Sequence, residues 1–318
     1  MSLLAALAII PSAHAATVSM NADDASGTTS FNTAGHWNNL AAPSSGNDYV
    51  SAGFLLRTPA TANGIHTFLG DSLTITGPGG QNVGNNDALL FKGTGASGLL
   101  TVNNLVVNGG ELRNASGNAD FFNLAGNLTV GSLGMVVHIQ GPTFISSVLA
   151  GSGAIKILDP GSGDAVRTLH LTSSANTYNG SINLVTANRS RFSLDAGANM
   201  NFLVGASGIN NNIFGAGVAN FAGIFNIDVT GAGSTVGDTW NLVNTGSLAE
   251  TYGATFGVAG FNNEGGGTWS KAANGGYYVF YQGTGNMEFL NVVPEPGSGA
   301  LLLLGAGAFL KFRRSRRA

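Results

Sequence analysis

The chain has 318 residues, of which only 9% are Asp, Glu, Lys or Arg and 49 are Gly; an average soluble domain carries roughly 25% charged residues and about half this share of glycine. The net charge of −3 hides an asymmetry, because Lys311, Arg313, Arg314, Arg316 and Arg317 fall in the last eight residues and the body before them is mildly acidic. That body lacks the basic face with which a nucleic-acid binder displaces counterions, so no nucleic acid is expected as a partner. With no Cys, disulfides and thiolate metal sites are excluded as well.

The N-terminus reads MSLLAALAIIPSAHAATVS. An apolar run from Leu3 to Ile10, then Pro11, then Ala13-His14-Ala15 predicts a signal peptide over residues 1–15, cut after Ala15 by the small-x-small rule. The usual positive start is missing, which suggests a true start codon slightly upstream. The competing reading is a buried N-terminal helix or strand.

From 16 to 229, short apolar alternations recur. They include 71–77, 98–114, 126–132, 134–141, 153–159, 167–186, 191–197 and 223–231. Each holds strands of about 4 to 7 residues with period-two patterning, separated by Gly, Asn, Ser and Thr, which suit tight turns. Repeated strand-turn units with few charges predict a parallel solenoid in which each coil buries its face on the next. Parallel burial explains the dominance of Val, Ile and Leu. No single period fits, and a β-sandwich pair remains the structural alternative.

From 230 to 290 aromatics concentrate, Trp240, Tyr252, Phe256, Phe261, Trp269, Tyr277, Tyr278, Phe280, Tyr281 and Phe289. The stretches GDTWNLVN, GATFGVAGF, GGTWSKAANGGYYVFYQGTG and MEFLNVV read as antiparallel strands. Such a module would cap the solenoid, whose last coil is otherwise an unpaired edge.

Residues 291–318 have three parts. Pro294-Glu295-Pro296 cannot continue a helix or an interior strand and predicts an extended stretch that a protease can grip. Gly297 to Leu310 is uncharged; as a helix it covers roughly 21 Å of a hydrocarbon core about 30 Å thick, a marginal stop-transfer segment. The basic cluster Arg313, Arg314, Arg316 and Arg317 would stay on the cytoplasmic side.

Few residues in the body suggest chemistry. The acids are scattered; Asp23-Asp24 is the adjacent pair, and Asp159 and Asp164 read as a Gly-rich turn between coils. A glycosidase would need paired carboxylates, and a lyase clustered acids for Ca²⁺ plus a base. His14, His36, His66, His138 and His170 lack ligand spacing, and His138 and His170 read as half-buried strand positions. Tyr277, Tyr278 and Tyr281 could stack on sugar rings, although such alternation more often packs a core. No catalytic residue, cofactor or metal is expected.

Two resemblances follow from these residues. Pro294-Glu295-Pro296, the apolar run and the Arg cluster resemble the PEP-CTERM sorting signal. The resemblance implies export by a Gram-negative bacterium and an exosortase, a membrane transpeptidase-like enzyme, that recognises Pro-Glu-Pro and removes the tail. The segment 169–186, with Leu169, Leu171, Asn176, Thr177, Tyr178, Gly180, Ile182, Leu184 and Val185, resembles the autotransporter-associated β-strand repeat. Residues 35–50 are similar to the segment that opens such passengers, with Trp37 packing on the first coil as a cap and Asn47 and Asp48 starting the first turn. This second resemblance implies a right-handed parallel β-helix.

The expected protein is therefore all-β. A signal peptide (1–15) precedes a β-solenoid (16–229), an aromatic-rich antiparallel cap (230–290) and a sorting signal with a short transmembrane helix (291–318). Its expected role is structural or adhesive at the cell surface or in the matrix, after transient inner-membrane anchoring, with extracellular polysaccharide as a partner. The alternatives are a carbohydrate-active enzyme on the same scaffold, or an autotransporter passenger, which would need a C-terminal barrel.

Overall fold

The computed structural model describes residues 15–61, 63–78, 87–93, 97–114, 121–159 and 167–292. The fold is easiest to read from the strand Leu99–Asn108. Leu100 and Val102 are buried, then Asn103 and Asn104 face solvent, then Leu105 and Val107 are buried. The alternation slips by one residue at the asparagines, and there the strand turns a corner. A register shift against Phe122–Val130 marks the same place. One half of Leu99–Asn108 pairs with Ile65–Thr67, the other with Ser72–Thr76.

Stacking such bent strands gives a prism with three faces. The first carries Ile65–Thr67, the leading halves of the two long strands, Thr143–Ile145, Leu169–Leu171, Arg191–Leu194, Val218–Phe221 and Ala249–Tyr252. The second carries Ala16–Ser19, Asn47–Val50, Ser72–Thr76, the trailing halves and Val148–Gly151, and is continued by Asn199–Leu203, Ile224–Asp228 and Gly257–Val258. The third is Leu56–Arg57, Ala88–Phe91, Glu111–Asn114, Met135–Ile139, Ile155–Leu158, Ile182–Leu184 and Ile213–Gly215. Among the described residues no helix occurs, and every strand pairing outside the cap is parallel. A sandwich of antiparallel sheets is thereby set aside.

The core is three aliphatic rows. Leu100, Leu124, Ile145, Leu171, Leu194 and Phe221 run along the first face. Leu73, Leu105, Leu128 and Leu149 run along the second, and Leu89, Leu112, Val137, Ile157 and Leu184 along the third. The interval between partners varies, from 20 residues between Val137 and Ile157 to 34 between Ile65 and Leu99. The variation sits in the corners, which is why no fixed period shows in the sequence.

Corners leave backbone groups that need partners. Asn104 Nδ2 donates to Asp71 O at 2.9 Å, and Asn127 Nδ2 to Asn103 O at 2.8 Å. Asn176 and Asn199 donate to each other's carbonyls, both at 3.1 Å. Coils approach closely here. A Cβ on Gly153 would lie 1.7 Å from Gly131 O, and Gly126, at φ +100°, would place one 2.0 Å from Val102 O.

Both ends of the described stack are closed by aromatics. Trp37 packs on Tyr49 at 4.7 Å between ring centroids, and Tyr49 on Phe68 at 5.3 Å. Trp37 Nε1 donates to Ser30 O. The acidic pair anchors this cap: Asp24 accepts from Ser30 N, Ser30 Oγ and Arg57 N, and Asp23 from Leu55 N. Asn47 and Asp48, expected to start a turn, begin the strand Asn47–Val50.

At the other end lies a five-stranded antiparallel sheet, in the order Thr239–Asn241, Asn286–Leu290, Gly276–Tyr281, Thr268–Ala273, Asn262–Gly265. Its buried Phe280 meets Phe225 at 5.9 Å and Phe256 at 6.5 Å. The parallel stack does not stop at 229. Ala249–Tyr252 and Gly257–Val258 add further parallel rungs, so the stretch 253–261 is not the antiparallel strand expected of it. Alternation shows that a face is buried, not which way the neighbour runs.

Tyr178 lies within the 169–186 segment and is fully buried, its hydroxyl 2.8 Å from Gly153 O and 2.9 Å from Ser181 O. Burial pushes this phenol far above its ordinary range. Tyr178→Phe should therefore cost about 1–3 kcal/mol, by removing the hydroxyl donor from Gly153 O, while Ser181 O keeps the Ile155 N–H. The check is a urea melt followed by circular dichroism. An unchanged midpoint would show that the Gly153 carbonyl finds another donor.

Candidate functional site

Outward positions on a parallel stack form rows, one residue per coil, spaced by about 4.8 Å. On the first face one such row is Asn123, Phe144, His170, Ser193, Asn220 and Thr251. Phe121 stacks on Phe144 at 4.6 Å, and Phe144 on His170 at 4.3 Å with the rings 8° from parallel. The ring faces cover one another, so within the stack they are closed to a sugar.

This row also brings a Ser, a His and an Asp together. His170 Nδ1 donates to Asp195 Oδ1 at 2.9 Å, and Ser193 Oγ donates to the same oxygen at 2.5 Å. An activated serine must give its proton to the histidine. Here both bind the carboxylate side by side, an arrangement that fixes the coil and activates nothing.

The third face carries a buried ionic cluster that sequence reading missed. Arg113 grips Glu111 with Nε at 3.0 Å and Nη2 at 2.6 Å, and His138 Nδ1 donates to Glu111 Oε1 at 2.9 Å. His138 is 5% exposed, more deeply placed than the half-buried position expected for it. The signal was present: Glu111 and Arg113 alternate in ELRN, and His138 follows on the next rung. Burial alone would raise the Glu111 pKa, but the His138 and Arg113 hydrogen bonds outweigh it, and the net shift is downward. Burial and the negative charges of Asp23 and Glu111 push Asp87 nearby upward.

Asp159 also differs from the turn residue expected. It is buried, and accepts from Arg167 Nη1 at 2.8 Å and Arg189 Nη2 at 3.4 Å. Asp164 lies outside the described residues. The cap tyrosines are not one exposed row. Period two puts Tyr278 inward, where its hydroxyl donates to Gly233 O and accepts from Asn274 Nδ2, while Tyr277 and Tyr281 are half-buried. Among the described residues, no three His, Asp or Glu converge as a metal site.

A concave feature lies on the second face. Thr177, Asn179, Asn201, Leu203, Asn226 and Asp228 line a shallow groove of about 330 Å³. Asn226 Nδ2 donates to Asn201 Oδ1 at 3.0 Å.

Of the sorting and processing residues, Ala15 directly precedes the strand Ala16–Ser19. Ala13, Pro294, Glu295, Pro296, Arg313, Arg314, Arg316 and Arg317 lie outside the described residues, as does the apolar run 297–310. Among the described residues no helix is long and apolar enough to cross a membrane. The chain leaves the cap through Asn286–Leu290 and reaches Val292, which is 71% exposed.

Glu111→Gln should cost about 3 kcal/mol, because it removes the carboxylate that the buried Arg113 and His138 both bind. Its pH signature separates charge from packing. The folded Glu111 carboxyl titrates below its ordinary value of 4.5, so the stability it supplies is full above about pH 4.5 and lost as the pH falls through the folded value. Melts from pH 3 to 7 should show a shallower acid limb in the variant. Parallel limbs would remove Glu111 from the acid response.

Residues 292–317 match the PEP-CTERM protein-sorting motif. No curated protein and no solved structure matches the chain. The motif marks the chain for export through an exosortase system, implies recognition by an exosortase-type enzyme, and places a membrane-anchored sorting signal at its C-terminus.

Proposed function

We propose that this chain is a non-enzymatic cell-surface or extracellular-matrix protein, anchored briefly in the inner membrane and then released by an exosortase-type cut near Pro294-Glu295-Pro296. The observation that carries this reading is the sorting motif set directly after a capped solenoid. A cut after Ala15 would leave Ala16, the first residue of an edge strand, as the new N-terminus. At the other end Pro294 follows Leu290 by four residues, at most about 14 Å of extended chain. The two processing signals thus frame the folded body with almost nothing to spare.

The surface chemistry supports a structural or adhesive role. Charges are few, and outward rows present amides and hydroxyls, as in the Asn123–Ser146 and Asn220–Thr251 hydrogen bonds. The carboxylates that looked most chemical are engaged: Glu111 by Arg113 and His138, Asp159 by arginines, Asp195 by His170 and Ser193. Each acts as a pin between elements. We read the coils as right-handed, as crossovers between parallel strands are in about 98% of cases, and the body as passenger-like, with residues 169–186 forming one coil. Extracellular polysaccharide is the surrounding to which such a rod would adhere.

The test is processing in the native host. Intact mass of the wild-type protein should show loss of the residues beyond the Pro-Glu-Pro region. Glu295→Ala and Pro294→Ala should retain the Arg cluster and stay in the membrane fraction. A wild-type protein that keeps its Arg cluster at the surface would overturn release by cleavage. Equal processing of all three forms would remove the motif from recognition.

A further inference from the structure

We propose that the second-face groove is a binding site for a neutral oligosaccharide; this rests on the surface reading above and gives it a ligand class and an address. The groove is built on a stiff floor. Met200, Phe202, Phe225 and Ile227 point inward and are buried, which turns Asn201, Leu203, Asn226 and Asp228 outward. Its lining comes from successive coils, through Asn179, Asn201, Asn226 and Ala259. At about 4.8 Å per coil it runs about 14 Å along the axis, a length that suits an oligomer better than a single ring.

The hydrogen-bonding groups are divided between structure and solvent. Asn201 is spent on the fold: its Nδ2 donates to Asn176 O at 2.8 Å and its Oδ1 accepts from Asn226. Asn226 keeps its Oδ1. The Asn179 side chain has no hydrogen-bond partner among the described residues, so it offers both donor and acceptor. Asp228 accepts the Thr230 N–H at 2.9 Å on Oδ1; the Thr230 hydroxyl and N–H hold its carboxyl below the ordinary carboxylate range. Preorganised amides beside an ionised carboxylate match vicinal hydroxyls, which donate to one and exchange hydrogen bonds with the other. Leu203, 46% exposed, and Ala259 offer aliphatic contact to the C–H face of a ring.

The same inventory excludes other ligands. No Lys or Arg lines the groove; Lys271, over the Phe261 ring, favours the ionised Asp228 from outside the lining, so a phosphate, sulfate or uronate in the groove would meet the Asp228 carboxylate before any cation. An apolar ligand would desolvate the amides and the carboxylate without replacing their hydrogen bonds. Asp228 is the single carboxylate among the lining residues, where glycoside cleavage calls for a pair, and this suits holding a sugar rather than cleaving it.

The experiment is calorimetric titration of the full chain, solubilised in detergent, with neutral tetrasaccharides of glucose, mannose, galactose and N-acetylglucosamine, and with a tetra-uronate. At least one neutral series should bind. Asn179→Ala and Asp228→Asn should each weaken it roughly three- to tenfold. Asn220→Ala, on the exposed row of the first face, should leave it unchanged. The tetra-uronate should bind at least tenfold more weakly, and Asp228→Asn should narrow that gap. Asn179 holds nothing together and Asp228 is exposed, so both variants should melt with the wild type. Asn179→Asp, which keeps the size, repeats the measurement if Asn179→Ala does not fold. Absence of binding by every neutral series at millimolar concentration, tighter uronate binding, or an equal loss from Asn220→Ala would overturn the site. Protease access to the chain on whole cells is scored separately. A surface-exposed chain that binds no sugar sinks the groove alone, whereas a chain that stays inside sinks the surface reading.

Discussion

Each coil of this protein satisfies its backbone on the coil beside it, and that constraint governs almost everything else. A parallel ladder makes every strand an interior strand only if a further rung follows. The ends must therefore be closed by something that is not a rung. At the N-terminal end Trp37 and Phe68 pack on Tyr49 and Phe31 packs on Phe68, and Asp23 and Asp24 accept backbone N–H groups that have no strand to bind. At the other end the ladder changes direction, and an antiparallel sheet lays Phe280 on Phe225 and Tyr252. The concentration of aromatics near residues 230–290 is thus a consequence of ending a stack, where aliphatic rows give way to large rings that cover an open cross-section.

The same constraint explains the unusual composition. Coils about 4.8 Å apart leave no room for a side chain where corners meet, and Gly153 and Gly126 sit at such contacts. Corner carbonyls still need donors, and Asn supplies one without adding charge. A like charge repeated on successive rungs would repel itself at this spacing, so a long parallel stack selects against charged rows. Several buried charges come paired. Glu111 with Arg113 and His138, and Asp159 with Arg167, tie adjacent elements together under cover from water. Such pairs add little net stability but are costly to break. Their worth here is in fixing which rung lies beside which, since leucine rows alone tolerate a slip.

Much of this was legible in the sequence, and the limits have physical causes. Leu-Thr-Val and Ile-Lys-Ile alternations fixed strand positions because burial of one face is a local pattern. The cap role of Trp37 came from the resemblance of residues 35–50 to a passenger-opening segment, and the ring does pack on Tyr49. Strand direction at 253–261 was not legible, for parallel and antiparallel burial write the same alternation. The ionic cluster was missed because its members come from separate rungs, and the interval from Arg113 to His138 is set by a corner rather than by a motif. The groove was missed for a similar reason. Asn179, Asn226 and Asp228 are unremarkable in the sequence until the register shows Asn201 spent on structure and these neighbours with hydrogen-bonding capacity left over.

The sorting motif and the body make opposite demands, and their junction reconciles them. Recognition by a membrane enzyme calls for an accessible segment, and two prolines are residues that neither a helix interior nor an interior strand accepts. The body needs its last strand held inside a sheet, and Asn286–Leu290 lies between Thr239–Asn241 and Gly276–Tyr281 rather than at an edge. With Pro294 only four residues beyond Leu290, a pull on the tail is resisted by two ladders of hydrogen bonds at once. An edge strand in that position would peel away rung by rung; a flanked strand must lose both neighbours together. The cap is therefore suited to bear the load of a membrane-anchored sorting signal at the chain's end.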